Sequence, residues 1–300
     1  MKTLHFGDIS VNKVLDGVES FKAVNAFPDI DLELFSQHKN WAHPFYNYDS
    51  RMIILSMHSY LIRTPNINIL VDTCIGNDKI RIGQGPIFKS NEGVLKHWNN
   101  RDSNYIDNLK VHGIHPSEID MVMCTHLHAD HVGWNTRLVN NRWVPTFPNA
   151  KYLFSSTEIE SMKKETTNPF DEYTRLVYED SILPIIESGQ AVIIDESIDL
   201  GPGINLIKSP GHSPGHCCIE VSSHNRKGLL TGDILHNPIQ VVCPQMSTMF
   251  CDDKELSNQT RIHLVNELTD SETIILAAHF GDTTAGLIES NDQGRQFRLI

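Results

Sequence analysis

The chain has 300 residues, 40% of them hydrophobic and 21% charged, with a formal net charge of −12. That length can bury a sizeable core. A diffusely acidic surface without a Lys/Arg cluster repels phosphate backbones, so nucleic acid and anionic membranes are not expected partners. No apolar run is long enough to span a bilayer, and the opening MKTLHFGDIS lacks the apolar stretch of a signal peptide, so a cytoplasmic location is expected.

Residues 1–14 alternate in a way that predicts an opening strand, and a short helix is expected near 31–38. The segment 15–48 is otherwise rich in aromatics and loop residues, with no long period. RMIILSMHSYLIRT and INILVDTCIG read as two β-branched strands parted by Pro65-Asn66, the second ending at Asp72 before a Gly-rich loop. Residues 91–114 predict a helix ending near Gly113, and IDMVMCT reads as a buried strand.

RLVNNRWVPTF has the form of a hairpin turning at Asn140-Asn141. AKYLFSSTEIESMKK reads as a strand and then a helix, with a capping-box pattern from Ser155 to Glu158. Residues 171–187 read as helix; INLIKS, CCIEVS, KGLLTGD and TIILAAH read as strands, with a helix over 253–268 before the last. Neither repeat nor linker interrupts the chain, so a single α+β or layered α/β domain over 1–300 is expected. The six scattered cysteines form no Cys-x-x-Cys, and thiols in a reducing compartment are expected rather than disulfides.

The strand IDMVMCT runs directly into CTHLHADHVGW, where His126, His128, Asp130 and His131 fall within six positions. Residues at i and i+2 of an extended segment point the same way, so His126 and His128 project together. Neutral imidazole is a common ligand for metals such as zinc, and carboxylate suits them too. Chance gives His-x-His-x-Asp-His in about three of a thousand chains of this composition, which favours metal binding over coincidence. Further donor-type residues follow other strands: His212 and His216 in IKSPGHSPGH, Asp233 in GLLTGDILH, His279 in IILAAHF. Four such edges meeting at one point would make a preformed polar pocket.

This set, with its flanking SPGH, TGD and AAHF, resembles the metallo-β-lactamase-fold hydrolase superfamily over about residues 50–280. VDTCIGNDK, CTHLHADHVGWNTRL and AAHFGDTTAG look like the lactonase and methyl-parathion-hydrolase-like subgroup. The resemblance implies a four-layer αββα sandwich with its metals at one edge of the two sheets. It implies that His126, His128 and His212 hold one metal, that Asp130, His131 and His279 hold a second, and that Asp233 bridges them. Asp130 and Asp233 are the expected catalytic carboxylates, Asp130 relaying a proton. The expected cofactors are two divalent ions: zinc first, with manganese, iron or cobalt as alternatives for a nitrogen-and-oxygen donor set.

The function so implied is hydrolysis of a neutral ester, lactone or phosphotriester by a metal-bridging hydroxide. Two other members of the superfamily are kept as alternatives, a mononuclear iron persulfide dioxygenase and a glyoxalase-II-like thioester hydrolase. Asp72 resembles the family aspartate that orients a ligand histidine, a turn-starting carboxylate being the plain alternative. His216 is expected to support the site without ligating, and His236 to be either a substrate contact or a solvated loop histidine. Trp134, Ile234, Leu235, Met246, Met249, Phe250 and Phe280 adjoin the donors and suggest an apolar pocket wall. A neutral, moderately apolar small molecule is the expected substrate. Segment 15–48 is expected to cover the pocket or to pair two copies as a homodimer.

Overall fold

The computed structural model describes residues 1–82, 97–164, 171–195, 200–281 and 283–300. The chain opens with β1 (Leu4–Phe6) and β2 (Ile9–Lys22); short helices at Ala23–Ala26, Glu33–Gln37 and Lys39–Ala42 lead to β3 (Tyr46–Asn47). Then come β4 (Met52–Arg63), β5 (Asn68–Val71), β6 (Met121–Met123), the hairpin β7 (Thr136–Val139) and β8 (Arg142–Pro145), β9 (Lys151–Ser155) and β10 (Ala191–Ile194). The remaining strands are β11 (Ile204–Lys208), β12 (Cys217–Ser223), β13 (Arg226–Gly232), β14 (Ile274–Ala277), β15 (Ala285–Asn291) and β16 (Gly294–Leu299). The chain divides into two compact units, one of residues 11–17 and 57–195, the other of 1–10, 18–56 and 196–300.

The unit of 11–17 and 57–195 is built on the sheet order β2-β4-β5-β6-β9-β10. β4 and β5 are antiparallel, while β5, β6, β9 and β10 run parallel. Parallel strands are covered on both faces, which is why residues 69–71 and 121–123 read as apolar runs without alternation. Val71 pairs with Met123 and Met123 with Leu153, so β5 and β6 stop at one level while β9 runs two residues further. The hairpin turns where expected, with Asn140 and Asn141 both at positive φ (49° and 58°), the type I′ geometry that asparagine tolerates.

The helical stretch 171–187 is present but not uniform: a π-turn at Tyr178–Ile182 joins helices Asp171–Val177 and Leu183–Glu187. Pro184 has no N–H to return to the carbonyl of Asp180. That carbonyl instead accepts from Lys79 Nζ at 2.9 Å and from the Thr136 hydroxyl. Helix Tyr105–Val111 ends as expected, with Gly113 at φ 69°. The expected helix is shorter than read: 97–104 is turn and irregular chain with Asn100 at φ 50°, and 91–96 lie outside the described residues.

The other unit carries a six-stranded sheet, β11-β12-β13-β14-β15-β16. All neighbours are antiparallel except β13 and β14. Helix Lys254–Leu268 begins at Asp253, whose carboxylate accepts from Leu256 N–H at 2.9 Å. The core of this unit includes Ile234, Leu235, Val265, Phe45, Phe280 and Phe297, the last three packed edge-on or tilted at 5.1–6.4 Å. Ile234, Leu235 and Phe280 are therefore core rather than pocket wall. The aromatics of 15–48 are likewise spent inside: Phe21, Phe27, Phe35 and Phe45 are buried, and Phe35 stacks on Tyr46 at 3.9 Å. Their abundance is explained by packing within this unit, and so no longer motivates a homodimer. All six cysteines are free thiols, as expected.

The capping box is corrected. Helix Ser156–Lys163 does start after Ser155, but no side chain caps it. Glu158 points instead to the chain beyond β6, where its Oε2 accepts the N–H of Leu127 at 3.0 Å.

Candidate metal centre

Each unit gathers its own share of the expected donors at strand ends. In the unit of 11–17 and 57–195, β5 and β6 end side by side, so Asp72 faces the turn that follows β6. Asp72 N–H donates to Met123 O at 2.8 Å, and its side chain accepts from Thr125 N–H at 2.7 Å and from the Thr125 hydroxyl. The residue sits at φ 57°, a left-handed conformation that aspartate tolerates better than most side chains. Beyond it, the turn-like segment 124–128 and the short helix Ala129–Val132 deliver His126, His128, Asp130 and His131.

The rings of His126 and His131 lie 4.0 Å apart and those of His126 and His128 4.5 Å apart. His131 donates through Nδ1 to Asp72 Oδ2 at 2.9 Å, which turns Nε2 to the Asp130 side, 3.7 Å from its Oδ2. Asp72 is thus the orienting carboxylate, not merely a turn residue. Glu158 holds the loop at Leu127, between two of the donors. Close packing of backbone fixes the far end: a Cβ on Gly133 would stand 1.8 Å from Ile75 O. Trp134 is no pocket wall; it stacks on Tyr105 at 5.5 Å, and its Nε1–H donates to Asp16 at 3.4 Å. Burial pushes the Tyr173 phenol well up, and the negative charges of Asp130 and Asp180 add to the shift.

In the other unit three strand ends point one way, because β11 and β13 both run antiparallel to β12 and β14 runs parallel to β13. They are followed by His212, Asp233 and His279. Asp233 collects three imidazoles: His279 Nε2 at 3.1 Å from Oδ1, with His236 Nε2 at 3.2 Å and His212 Nε2 at 3.3 Å from Oδ2. The ligand atoms of His212, Asp233 and His236 all lie within 4.8 Å of one another. His236 is 2% exposed, so it is no solvated loop histidine, and burial holds its imidazole below the ordinary range, with Asp233 pulling the other way.

His216 supports this cluster as expected without joining it. Its Nε2 accepts the N–H of Asp233 at 3.0 Å, and its Nδ1 lies 2.8 Å from Ser209 Oγ. His279 Nδ1 faces Ser56 O at 3.3 Å. Phe250, half-buried, lies 6.2 Å from the His236 ring, with Phe21 edge-on to it at 6.3 Å. Met249 N–H donates to Ala26 O at 2.9 Å, so segment 15–48 does reach this loop. Met246 is buried. Sequence reasoning missed Glu158, Cys251 and Arg261; the first carried a misleading helix-start signal, the others none.

Buried imidazole and carboxylate donors converging on one carboxylate suit divalent cations, and neither cluster contains the thiolates common in structural zinc sites. A sheet-built α+β chain with histidine and aspartate at successive strand ends defines a class of metal-site proteins. The family model described as the metallo-beta-lactamase superfamily matches residues 55–279, and the chain belongs to that superfamily.

Among curated relatives, N-acyl homoserine lactonase AiiA of Bacillus thuringiensis subsp. kurstaki is 26% identical over 182 residues, 60% of this chain and 64% of its own length. N-acyl homoserine lactonase AttM of Rhizobium radiobacter is 29% identical over 177 residues, 57% of this chain and 61% of its own. The matched part is thus under two thirds of either relative.

Of solved structures, the hydrolase AbOPH has a TM-score of 0.75 at 22% identity, covering 99% of this chain and 96% of its own. AidC, a dizinc quorum-quenching lactonase, has a TM-score of 0.76 at 17% identity with the same coverage. The expected α+β, metallo-β-lactamase-like fold is borne out. Among the described residues, no helix is long and apolar enough to cross a membrane.

Proposed function

We propose that this chain is a dinuclear metal-dependent hydrolase of neutral carboxylic esters, lactones above all. The observation that carries this reading is the convergence of His212, His236 and His279 on the Asp233 carboxylate at 3.1–3.3 Å. In this reading His126, His128 and His212 hold one cation, Asp130, His131 and His279 hold the other, and Asp233 bridges them. When bound, such ions supply Lewis acidity and lower the pKa of coordinated water toward about 7. Zinc heads the candidates, because AidC is a dizinc lactonase.

The chain's own groups supply the rest. Asp72 fixes the ring of His131 so that Nε2 is presented, and His216 fixes the backbone at Asp233. Asp130 is the proton carrier, a carboxylate within 3.7 Å of a ring nitrogen that is itself oriented. Half-buried Phe250, backed by buried Phe21, gives an apolar surface beside His236, suited to an acyl chain. The buried cations of the 57–195 unit are already committed: Arg81 and Lys79 pair with Asp180 at 2.6 and 3.5 Å. They offer no clamp for a phosphate monoester. The AiiA and AttM relatives are acyl homoserine lactonases, which supports a lactone with an acyl substituent.

The test is elemental analysis of chelator-free protein, followed by a panel of acyl lactones, aryl esters, phosphotriesters, thioesters and phosphate monoesters. Two metals per chain and preference for neutral lactones, graded with acyl length by about 0.8 kcal/mol per buried methylene, are expected. The pair His131→Ala with Asp233→Ala should lose one metal and most turnover. Phosphate monoesters turned over better than any neutral ester, or a double variant with full metal content and rate, would sink the reading.

A further inference from the structure

Behind His212 lies a hydrogen-bonded chain that the set of seven donors does not require. Arg261, in helix Lys254–Leu268, is fully buried. Its guanidinium gives Nε–H to Ile234 O (2.7 Å), Nη1–H to Pro244 O (3.0 Å), Met246 O (2.9 Å) and Asn258 Oδ1 (2.9 Å), and Nη2–H to Ser257 Oγ (2.8 Å). Ser257 Oγ lies 3.4 Å from Cys251 Sγ, and Cys251 Sγ lies 3.6 Å from His212 Nδ1. The sulfur also lies 3.5 Å from Thr248 Oγ1, and the Arg261 guanidinium interacts with it directly.

The polarity of this chain starts from its cation. A guanidinium only donates. Ser257 Oγ therefore accepts from Arg261, which leaves its hydroxyl proton free to point at Cys251 Sγ. With the thiol proton on Thr248 Oγ1, the sulfur faces His212 as an acceptor. On the other side of the ring, His212 Nε2 points to Asp233 Oδ2 at 3.3 Å. A histidine that gives Nε2 to a cation carries its proton on Nδ1 and needs an acceptor there.

The backbone locks the same geometry. Asp252 N–H donates to His212 O at 2.9 Å and Asp253 N–H to Gly211 O at 3.1 Å. Gly211, at φ 128°, lies so near the helix start that a Cβ would stand 2.3 Å from Ser257 N. Arg261 also grips the carbonyl of Ile234, the residue after Asp233, so one buried cation is tied to both donors.

We infer that Cys251, braced by Ser257 on Arg261, is a positioning residue that accepts Nδ1–H of His212 and so presents Nε2 to a bound cation. The inference rests on the metal reading proposed above. The test is zinc affinity of the chelator-stripped full chain, measured by competition with a chromophoric chelator. The d–d spectrum of the cobalt-loaded form is a second readout, and far-UV circular dichroism checks the fold.

Cys251→Ala is expected to weaken one of two zinc sites by 10-fold or more, in line with the loss of other outer hydrogen-bond partners, and to change the cobalt spectrum. Cys251→Ser keeps an acceptor and should recover affinity to within about threefold. Ser257→Ala, which leaves the sulfur in place, should fall between the two. If Cys251→Ala binds both zinc ions as the wild type does, or Cys251→Ser is as weak as Cys251→Ala, the inference is wrong while the metal reading stands. A wild-type chain that binds no zinc or cobalt would sink both.

Discussion

Asp72 and His131, 59 positions apart in the chain, meet through a 2.9 Å hydrogen bond from the ring Nδ1 to the carboxylate Oδ2. The same carboxylate takes the N–H and hydroxyl of Thr125, so one buried acid fixes both ends of the loop that carries four donors. Asp72→Ala should therefore cost about 10- to 100-fold in metal affinity or turnover. Asp72→Asn, which keeps the left-handed backbone accessible, should cost less. Metal titration of the two variants checks the order, and equal affinity for wild type and Asp72→Ala would contradict it.

Glu158 makes a different demand on the same loop. Its Oε2 is the acceptor for the buried N–H of Leu127. Glu158→Ala leaves that N–H without its partner, a cost of about 1–3 kcal/mol. Urea unfolding should show this loss, with Glu158→Gln recovering part of it through its amide oxygen.

Gly133 tests how rigid the loop must be. An added methyl would meet the backbone at Ile75 and Gly76, which cannot rotate away as a side chain can. Gly133→Ala should destabilise at the upper end of the about 1–3 kcal/mol seen for overpacking, and it should lower metal affinity because the backbone next to His131 must move. Thermal melts with and without zinc separate the two effects; an unchanged melting temperature in both states would refute the close approach.

Lys79 gives a pH signature. Burial is the main cause that lowers its pKa to about 7, against the pull of Asp180. Between about pH 7 and the unfolded value near 10.4 the unfolded chain binds a proton that the folded chain does not, so this residue makes stability rise with pH. Relative to Lys79→Met, the wild type should gain at most about 1.4 kcal/mol per pH unit over that window. Urea midpoints at pH 7.5 and 9.5 give the comparison, and a wild-type advantage that shrinks with pH would reverse the sign.

The strands and most donors were legible because each apolar run stops at a residue with a distinct chemistry: Asp72, His126, Asp233, His279. A two-residue turn with Asn140-Asn141 is equally local, and it formed as read. What escaped was long-range. Glu158 fitted a helix start, since nothing in its neighbourhood shows that the N–H of Leu127, 31 positions earlier, needs an acceptor. Lys79 and Asp180 lie 101 positions apart, joined because Pro184 frees a carbonyl. The aromatics of 15–48 looked surplus only while their partners, such as Phe280 and Phe297, were out of view. His236 was undecided for the same reason: burial comes from elements that sequence spacing does not show.

The two compact units differ in how they can be made. Residues 57–195 form one nearly continuous stretch, so that sheet can assemble as soon as it leaves the ribosome. The other unit must wait, because buried Phe6 of β1 packs where a Cβ of Gly228 on β13 would be. Contacts of such separation are slow to form and leave apolar side chains uncovered in the meantime. At about 5–20 residues per second, Phe6 spends roughly 10–45 s of synthesis without this packing partner. That interval, rather than the finished fold, is where chaperone binding and aggregation of this chain would concentrate.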